Sequence, residues 1–197
     1  MQLKSFFTAL SLVVTSMVVV SVSMADDQIY ASDQGHTEVL FGWNHAGVSR
    51  QHAEFTVSSA TLNLADDIEK SSVDVTIDTS SLSSGFEALD KHLKSKSFLE
   101  VETYPAITFK STSVKKTGEK TLDITGDLTI HGATKPVVLK AEMTHKGAHP
   151  VAEYISYYKG SWVAFKATTE IDHMAFNVGS FSTGPIAIEI NTEMKAK

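Results

Sequence analysis

The sequence predicts an all-β domain of antiparallel strands with one short helical insertion. Apolar and polar residues alternate with period two in many segments, which is typical of strands that bury one face. The connections at 115–120 and 131–135 are short and rich in turn-forming residues, so successive strands are expected to pair antiparallel. Helical spacing of apolar residues is confined to a segment near 85–100.

The alternation predicts about eight strands. It is clearest in Val73–Ile77, Leu122–Ile130 and Val163–Ile171, where the apolar residues keep almost entirely to one parity. Pro136 is accepted as the first residue of its strand, where no ladder hydrogen bond is lost. The predicted strands lie near residues 37–44, 53–65, 73–78, 106–113, 120–130, 136–146, 161–171 and 185–194.

The predicted strand at 53–65 changes the parity of its apolar residues. Phe55 and Val57 share one parity, whereas Leu62 has the other. A bulge or bend near Ser58–Ser59 would account for the change, as would a corner where a sheet curls.

The helical insertion begins after a run of serines. Phe86, Leu89 and Leu93 fall at i, i+3 and i+7, which places them on one helical face, and Ser83 or Ser84 is available as a cap. A single helix within a run of strands indicates a lid or plug.

The N-terminal residues have the order of a secretory signal peptide. Lys4 is basic, Phe6–Val22 is apolar apart from Ser and Thr, and Ser23–Ala25 precedes two aspartates. A membrane anchor is the alternative, but the run falls short of the ~20 strongly apolar residues that a spanning helix needs. We expect residues 1–25 to be removed after Ala25, which leaves 26–197 as one secreted domain.

Composition and motifs exclude several kinds of site. The chain has no cysteine, which excludes disulfides, thiolate–metal ligands and cysteine nucleophiles. Its formal net charge of −6 at pH 7 comes without a basic stripe, which argues against nucleic-acid binding. No Gly-x-Ser-x-Gly, P-loop or dinucleotide motif occurs, so no catalytic residue and no enzyme activity are predicted.

Eight histidines raise the question of a metal site. His145 and His149 are four residues apart, but Gly147 and Pro150 favour a loop between strands over a helix. No cysteine, no His-Glu-x-x-His motif and no convergent carboxylate accompanies them, so no metal ligand is predicted.

Two segments carry the most specific pattern. Residues 90–112 are Asp-Lys-His-Leu-Lys-Ser-Lys-Ser-Phe-Leu-Glu-Val-Glu-Thr-Tyr-Pro-Ala-Ile-Thr-Phe-Lys-Ser-Thr, and residues 126–137 are Gly-Asp-Leu-Thr-Ile-His-Gly-Ala-Thr-Lys-Pro-Val. They join a short helix to a strand, and then one strand to the next through a glycine turn. The pattern resembles the YceI-like family of bacterial periplasmic lipid-binding proteins, and the resemblance runs from about Asp33 to Thr192.

The resemblance implies a lipocalin-like, eight-stranded antiparallel barrel that holds a polyisoprenoid or an isoprenoid quinone. On the residues alone, about eight strands with one apolar face could also pack as a sandwich. A cavity would suit a long apolar guest, because burying each CH₂ group is worth ~0.8 kcal/mol before ordering costs. Tight binding then requires few hydrogen bonds.

Residues on the inward face are expected to line the cavity that the family implies. The small side chains of Ala141 and Ala167 lie between bulky positions and could make room for a ligand. The same residues could instead interdigitate as an ordinary core. The predicted lining residues are Phe41, Trp43, Phe55, Phe109, Leu128, Ala141, Phe165, Ala167 and Phe176.

Polar residues near the helix are the candidates for contact with a ligand head group. His92 and Lys91 belong to a segment that resembles the family's Asp-x-His-Leu motif, in which Asp90 is expected to hold the helix in place. The lysines could equally form a solvated face. His173 and Asn177 replace the Arg and Gly of the family's usual Arg-x-x-Phe-Gly stretch, so His173 is a further candidate at the mouth.

These observations predict a periplasmic protein that sequesters or carries an amphipathic lipid, with no other cofactor. The alternative is a non-carrier with a filled barrel, which acts through its surface in envelope stress or on a partner protein. A transient contact with a membrane or a membrane protein is compatible with the carrier interpretation, and so is a homodimer.

Overall fold

The computed structural model describes residues 28–56 and 58–197, so the predicted signal peptide at 1–25 and Val57 lie outside the described residues. No helix in the described part of the chain is long and apolar enough to cross a membrane. The elements are β1 (Gln28–His45), β2 (Ser49–Phe55), β3 (Ser58–Leu64), β4 (Ser72–Asp78), β5 (Leu82–Ser83), α1 (Glu87–Lys94), β6 (Ala106–Lys116), β7 (Thr121–Ile130), β8 (Ala133–Ala148), β9 (Ser161–Ile171) and β10 (Ile186–Ala196).

The strands form one antiparallel sheet that closes on itself. β10 pairs with β1, which joins the last described strand to the first. β2 and β3 follow one another along β1 and share one position in the barrel, while the two-residue β5 pairs with the end of β2. The predicted eight-stranded antiparallel barrel with one short helix is confirmed.

The strand predicted at 53–65 is two strands. β2 ends at Phe55 and β3 begins at Ser58. β2 pairs with the C-terminal half of β1, whereas β3 pairs with the N-terminal end of β1 and with β4. The parity change therefore marks the point between Phe55 and Ser58 where the chain changes partners. Ser58 and Ser59 themselves pair in regular register with Ile77 and Thr76, so the bulge predicted there was wrong.

Several strands extend beyond their predicted ends, and β1 and β8 show the consequences. β1 begins at Gln28, with a shift of register between Ser32 and Thr37. Tyr30 before this shift and Val39 after it have opposite parity, and both are buried. β8 continues to Ala148, two residues past its predicted end, so His145 lies within the strand and the connection to β9 begins at His149.

The helix begins differently from the prediction. Phe86 occupies the N-cap position and makes no side-chain capping bond, so the serine cap was wrong. Ser84 instead donates its amide and hydroxyl to Asp90 Oδ1, at 2.7 and 2.5 Å. The hydroxyl of Ser84 is the main cause that lowers the pKa of Asp90. Asp90 therefore holds the segment that enters α1.

The two ends of the barrel differ. We call the end that carries α1 and the β1–β2 and β9–β10 connections the open end, and the opposite end the base. Near the base, buried side chains pack across the interior, and the hydroxyl of Tyr30 lies 3.0 Å from Ser161 Oγ. This cluster consists of Tyr30, Leu62, Leu64, Val163 and Met194.

The base is also covered from outside. Trp162 points away from the interior, as the alternation along β9 requires, and yet it is only 1 % exposed. Its indole Nε1 donates to the carbonyl of Tyr158 at 2.8 Å, and the ring of His149 meets it edge-on at 5.2 Å between centroids. The connection between β8 and β9 thus folds over the outer wall.

A polar cluster joins β1 to that connection. His36 Nδ1 lies 2.9 Å from Asp33 Oδ2, and its Nε2 lies 3.4 Å from the hydroxyl of Tyr158. The hydrogen bond with Asp33 raises the pKa of His36. Burial by itself would raise the pKa of Asp33, but hydrogen bonds from His36 and Gly35 outweigh burial and lower it.

We predict that the His36–Asp33 pair stabilises the fold most between about pH 4 and 6.5. The contribution of His36 is complete below its ordinary pKa of 6.5 and is lost as pH rises through the raised value. The contribution of Asp33 is present above 3.8 and is lost as pH falls through the lowered value. The difference in Tm between the wild type and His36→Gln should therefore peak in this window. A difference that stays constant from pH 5 to 9 would contradict the pairing.

We predict that Gly126→Ala destabilises the barrel by about 1–3 kcal/mol through overpacking. A Cβ at this position in β7 would lie 2.4 Å from Phe109 Cζ and 2.6 Å from the carbonyl oxygen of Lys110. Gly35→Ala is the matched control, because its Cβ would meet nothing nearer than Asp33 Oδ1 at 3.6 Å. Urea denaturation measures both variants, and equal midpoints would refute the argument.

Candidate ligand cavity

An apolar cavity of about 880 Å³ occupies the barrel interior. It extends from the open end to the cluster at the base, where Leu62, Leu64 and Met194 belong to its wall. Among the described residues that line it, none is Asp, Glu, Lys or Arg. The volume lies within the range of ~300–1,000 Å³ that is usual for ligand sites.

The size of this cavity argues against a packing defect. Cavities left by core substitutions cost about 24 cal/mol per Å³, which for 880 Å³ would be about 20 kcal/mol. A domain of ordinary stability has only about 5–15 kcal/mol in total. A space of this size therefore belongs to the fold as a cavity and not as a packing defect, and its apolar wall suits an apolar ligand.

The structure places all the predicted lining residues in the wall of this cavity. They come from six strands and from the turn after β9. Ala141 and Ala167 are cross-strand neighbours on β8 and β9, so two small side chains lie side by side in this part of the wall. The residues are Phe41, Trp43, Phe55, Phe109, Leu128, Ala141, Phe165, Ala167 and Phe176. That they contact a ligand stays a prediction.

One side of the wall was missed. β3 and β4 contribute inward side chains whose alternation was visible in the sequence, and this signal could have identified them. They are Leu62, Leu64, Val73, Val75 and Ile77. The parity change in front of β3 hid which of its faces was inward.

Aromatic rings line the cavity wall near the open end. Phe41 stacks on Phe55 with ring centroids 5.2 Å apart, and on Trp43 at 5.9 Å. These flat surfaces are rigid and apolar, since an aromatic side chain has few rotatable bonds. They narrow the cavity near its opening without adding charge.

The helix α1 forms part of the wall at the open end. Phe86, Leu89 and Leu93, predicted to share one helical face, all line the cavity. His92 lines it too, and its ring meets Phe98 edge-on at 4.9 Å between centroids. Lys91 lies outside the wall, where its Nζ is 2.8 Å from Glu87 Oε1 and its side chain is 76 % exposed.

His173 is buried and already engaged by the protein. Its Nε2 accepts from the amide of Thr183 at 3.2 Å, so Nδ1 carries the proton and donates to the carbonyl of Val178 at 2.6 Å. Both ring nitrogens therefore bind backbone groups of the β9–β10 connection, to which His173 itself belongs, and fix its fold. The position expected to meet a head group therefore fastens a loop, although the ring lines the cavity.

Asn177 replaces the family's glycine for a local reason. It ends the short 3₁₀ turn 173–176 with φ 59° and ψ 26°, a left-handed conformation. Asn tolerates this region better than other residues that have a side chain. The departure from the family pattern leaves the turn intact.

The histidines considered as metal ligands have other contacts. His149 stacks on Tyr158 at 4.1 Å between centroids, and its Nε2 lies 3.3 Å from Glu193 Oε2. His145 Nε2 lies 3.2 Å from the carbonyl of Ala148. Within residues 28–56 and 58–197, no group of three or more His, Cys, Asp or Glu side chains is placed to hold a metal ion.

We predict that His173→Leu destabilises the fold by about 1–3 kcal/mol, because the partly buried carbonyl of Val178 and the partly buried amide of Thr183 lose their partner. Amide exchange at Thr183 should speed up along with the drop in the urea midpoint. His45→Leu is the matched control, since His45 lines the same cavity but is exposed at the opening. If both variants lost equal stability, the loop-fastening role of His173 would be wrong.

Comparisons with known proteins agree with this architecture. A family model described as a YceI-like domain matches residues 30–196. A UPF0312 protein of Pseudomonas savastanoi pv. phaseolicola is 39 % identical over 160 residues, which cover 81 % of this chain and 83 % of that protein.

Two solved structures show the same fold. BcnA of Burkholderia cenocepacia has a TM-score of 0.71 at 21 % identity, covering 82 % of this chain and 98 % of that one. A polyisoprenoid binding domain from Saccharophagus degradans, implicated in plant cell wall breakdown, has a TM-score of 0.63 at 12 % identity. The alignment covers 87 % of this chain and all of that domain.

Proposed function

Because the chain belongs to the YceI-like domain family, we propose that it binds a long-chain amphipathic lipid, a polyisoprenoid or an isoprenoid quinone, inside the barrel. It acts by sequestering or carrying this ligand in the periplasm. It is a binding protein and needs no catalytic group.

The cavity is the observation that carries this proposal. Its wall is mostly apolar, and water in an apolar space of 880 Å³ would be less favourable than an apolar ligand. β9 alone has 11 residues, or about 36 Å of strand at ~3.3 Å per residue, so the interior suits a ligand that is long and slim. A polyisoprenoid binding domain among proteins of the same fold supports this class of ligand.

Polar lining groups at the open end indicate how the ligand is oriented. His45, Gln51 and His92 line the cavity there and are exposed. An uncharged or weakly polar head can hydrogen-bond to these groups while the tail points to the base. The apolar tail supplies the affinity, because each buried CH₂ group contributes ~0.8 kcal/mol.

The proposed periplasmic location rests on the signal peptide that the sequence predicts at residues 1–25. A ligand of this kind is made in membranes and is almost insoluble in water. A secreted barrel is a suitable container for it in an aqueous compartment.

We predict that Ala141→Phe blocks lipid binding. The new ring would project into the cavity beside Ala167, its neighbour on β9, and would occupy the space of the ligand tail. Val138→Phe is the matched control, because Val138 lies on the same strand, is 39 % exposed and is not part of the cavity wall. Native mass spectrometry and lipid extraction of protein purified from its own host measure the bound ligand.

The wild type and Val138→Phe should retain a long-chain lipid, and Ala141→Phe should lose it while still unfolding cooperatively. Ala167→Phe provides a second blocked variant if Ala141→Phe folds poorly. A wild type that is always recovered empty and takes up no long-chain lipid in vitro would exclude the carrier function. A blocked variant that still acts normally in cells would favour the surface-acting alternative.

A further inference from the structure

Large apolar side chains stand exposed around the opening of the cavity. Phe86 is 66 % exposed and Phe181 is 63 % exposed, and both also belong to the cavity wall. Val48 is 84 % exposed in the β1–β2 turn, next to Ala46 and His45, which line the opening. Each of these residues forgoes the stabilisation that full burial of such a side chain would provide.

We call Phe86, Phe181 and Val48 the rim, and the fold holds these residues in position. The carbonyl of Phe86 accepts from the amides of Leu89 and Asp90, both at 3.0 Å, at the first turn of α1. Phe181 lies two residues before Thr183, whose amide is bound to His173. The rim is therefore a fixed arrangement of apolar groups from connections far apart in sequence.

The charge of the opening differs from that of the rest of the chain. We define the mouth segments as residues 46–52, 86–99 and 177–185, because each contributes side chains to the opening. They carry four basic and two acidic side chains, and the third segment has no charge at all. The whole chain has 17 basic and 23 acidic residues, so the acidic excess lies elsewhere. The basic residues are Arg50, Lys91, Lys94 and Lys96.

From these observations we infer that the open end docks onto the surface of a lipid bilayer. Phe86, Phe181 and Val48 insert among the acyl chains, and the basic side chains beside them lie at the level of the phosphate groups. This inference rests on the proposed lipid-binding function. A ligand that passes from bilayer to cavity through such a contact never exposes its apolar length to water.

The geometry favours a bilayer over an outward-facing protein partner. The exposed rings of Phe86 and Phe181 flank the entrance to the cavity and are continuous with its wall. A ligand that leaves the acyl chains of a bilayer would therefore pass directly along these rings into the cavity. Another exposed apolar group, at Tyr154, Ile155 and Tyr157, belongs to the β8–β9 connection at the base. It has no access to the opening, and it offers an internal control.

Flotation of the purified protein with phosphatidylcholine vesicles tests the inference. The double variant Phe86→Ser with Phe181→Ser should bind at least about tenfold more weakly than the wild type, because two large apolar contacts are removed. The variant Tyr154→Ser with Ile155→Ser removes comparable exposed apolar groups at the base and should bind as the wild type does. All four positions are exposed, so the folds should survive.

Fluorescence supplies a second readout that does not depend on the loss of binding. In Phe86→Trp the added tryptophan emission should shift to shorter wavelength when vesicles are present, whereas in Tyr154→Trp it should not. Vesicles that contain phosphatidylglycerol should bind the wild type more tightly at low salt. Lys91→Glu with Lys96→Glu should remove that gain while leaving binding to phosphatidylcholine unchanged.

A wild type that does not float with either kind of vesicle would overturn the inference, and so would equal flotation of the two serine double variants. A rim that instead joins two copies of the chain would show as a dimer without vesicles that the Phe86/Phe181 double variant abolishes. A fluorescent fatty acid added from solution separates this test from the proposed function. Uptake of that probe without vesicle binding refutes only the docking, whereas no uptake by the wild type refutes the cavity function itself.

Discussion

The pairing of β1 with β10 is the constraint on which the rest of the structure depends. It runs from Tyr30 and Ala196 to Gly42 and Ala187, and it closes the ladder of the long strands, so that among the described strands only β2 and the short β5 keep a free edge. The backbone is thereby satisfied strand to strand, without help from the interior. Only because the wall is stable as a closed ladder can its apolar faces surround a space that they do not fill.

The barrel wall is therefore stabilised by its own strand pairing and packing, and its stability does not depend on a ligand in the cavity. Residues such as Gly126 act in the wall, where the ring of Phe109 packs directly against the backbone. Side chains at the open end serve a different purpose, since His173 fastens one loop and Asp90 another. The loops that frame the entrance are therefore fixed independently of the contents, so the site is formed before a ligand arrives.

The sequence revealed the wall better than the rim. Period-two alternation identified the strands and the inward positions, including Ala141 and Ala167, because that pattern is local to each strand. It could not decide between a sandwich and a barrel, since both bury one face of every strand, and the family resemblance made that choice. The split between β2 and β3 also escaped, because it depends on a change of partner that is distant in sequence. Phe181 and the bonds of His173 lie in a connection without periodicity, where no local pattern indicates contact or exposure.

The closure by the last strand also determines how the chain can reach its native state. β1 and β10 are separated by nearly all of the described chain, so the final ladder forms by a contact of very high sequence separation, which is slow. Until β10 is present, β1 and β9 each expose a free edge, and such edges recruit other strands into aggregates. A chain cut short before Ile186 would therefore form an open sheet with two adhesive edges in place of a smaller barrel.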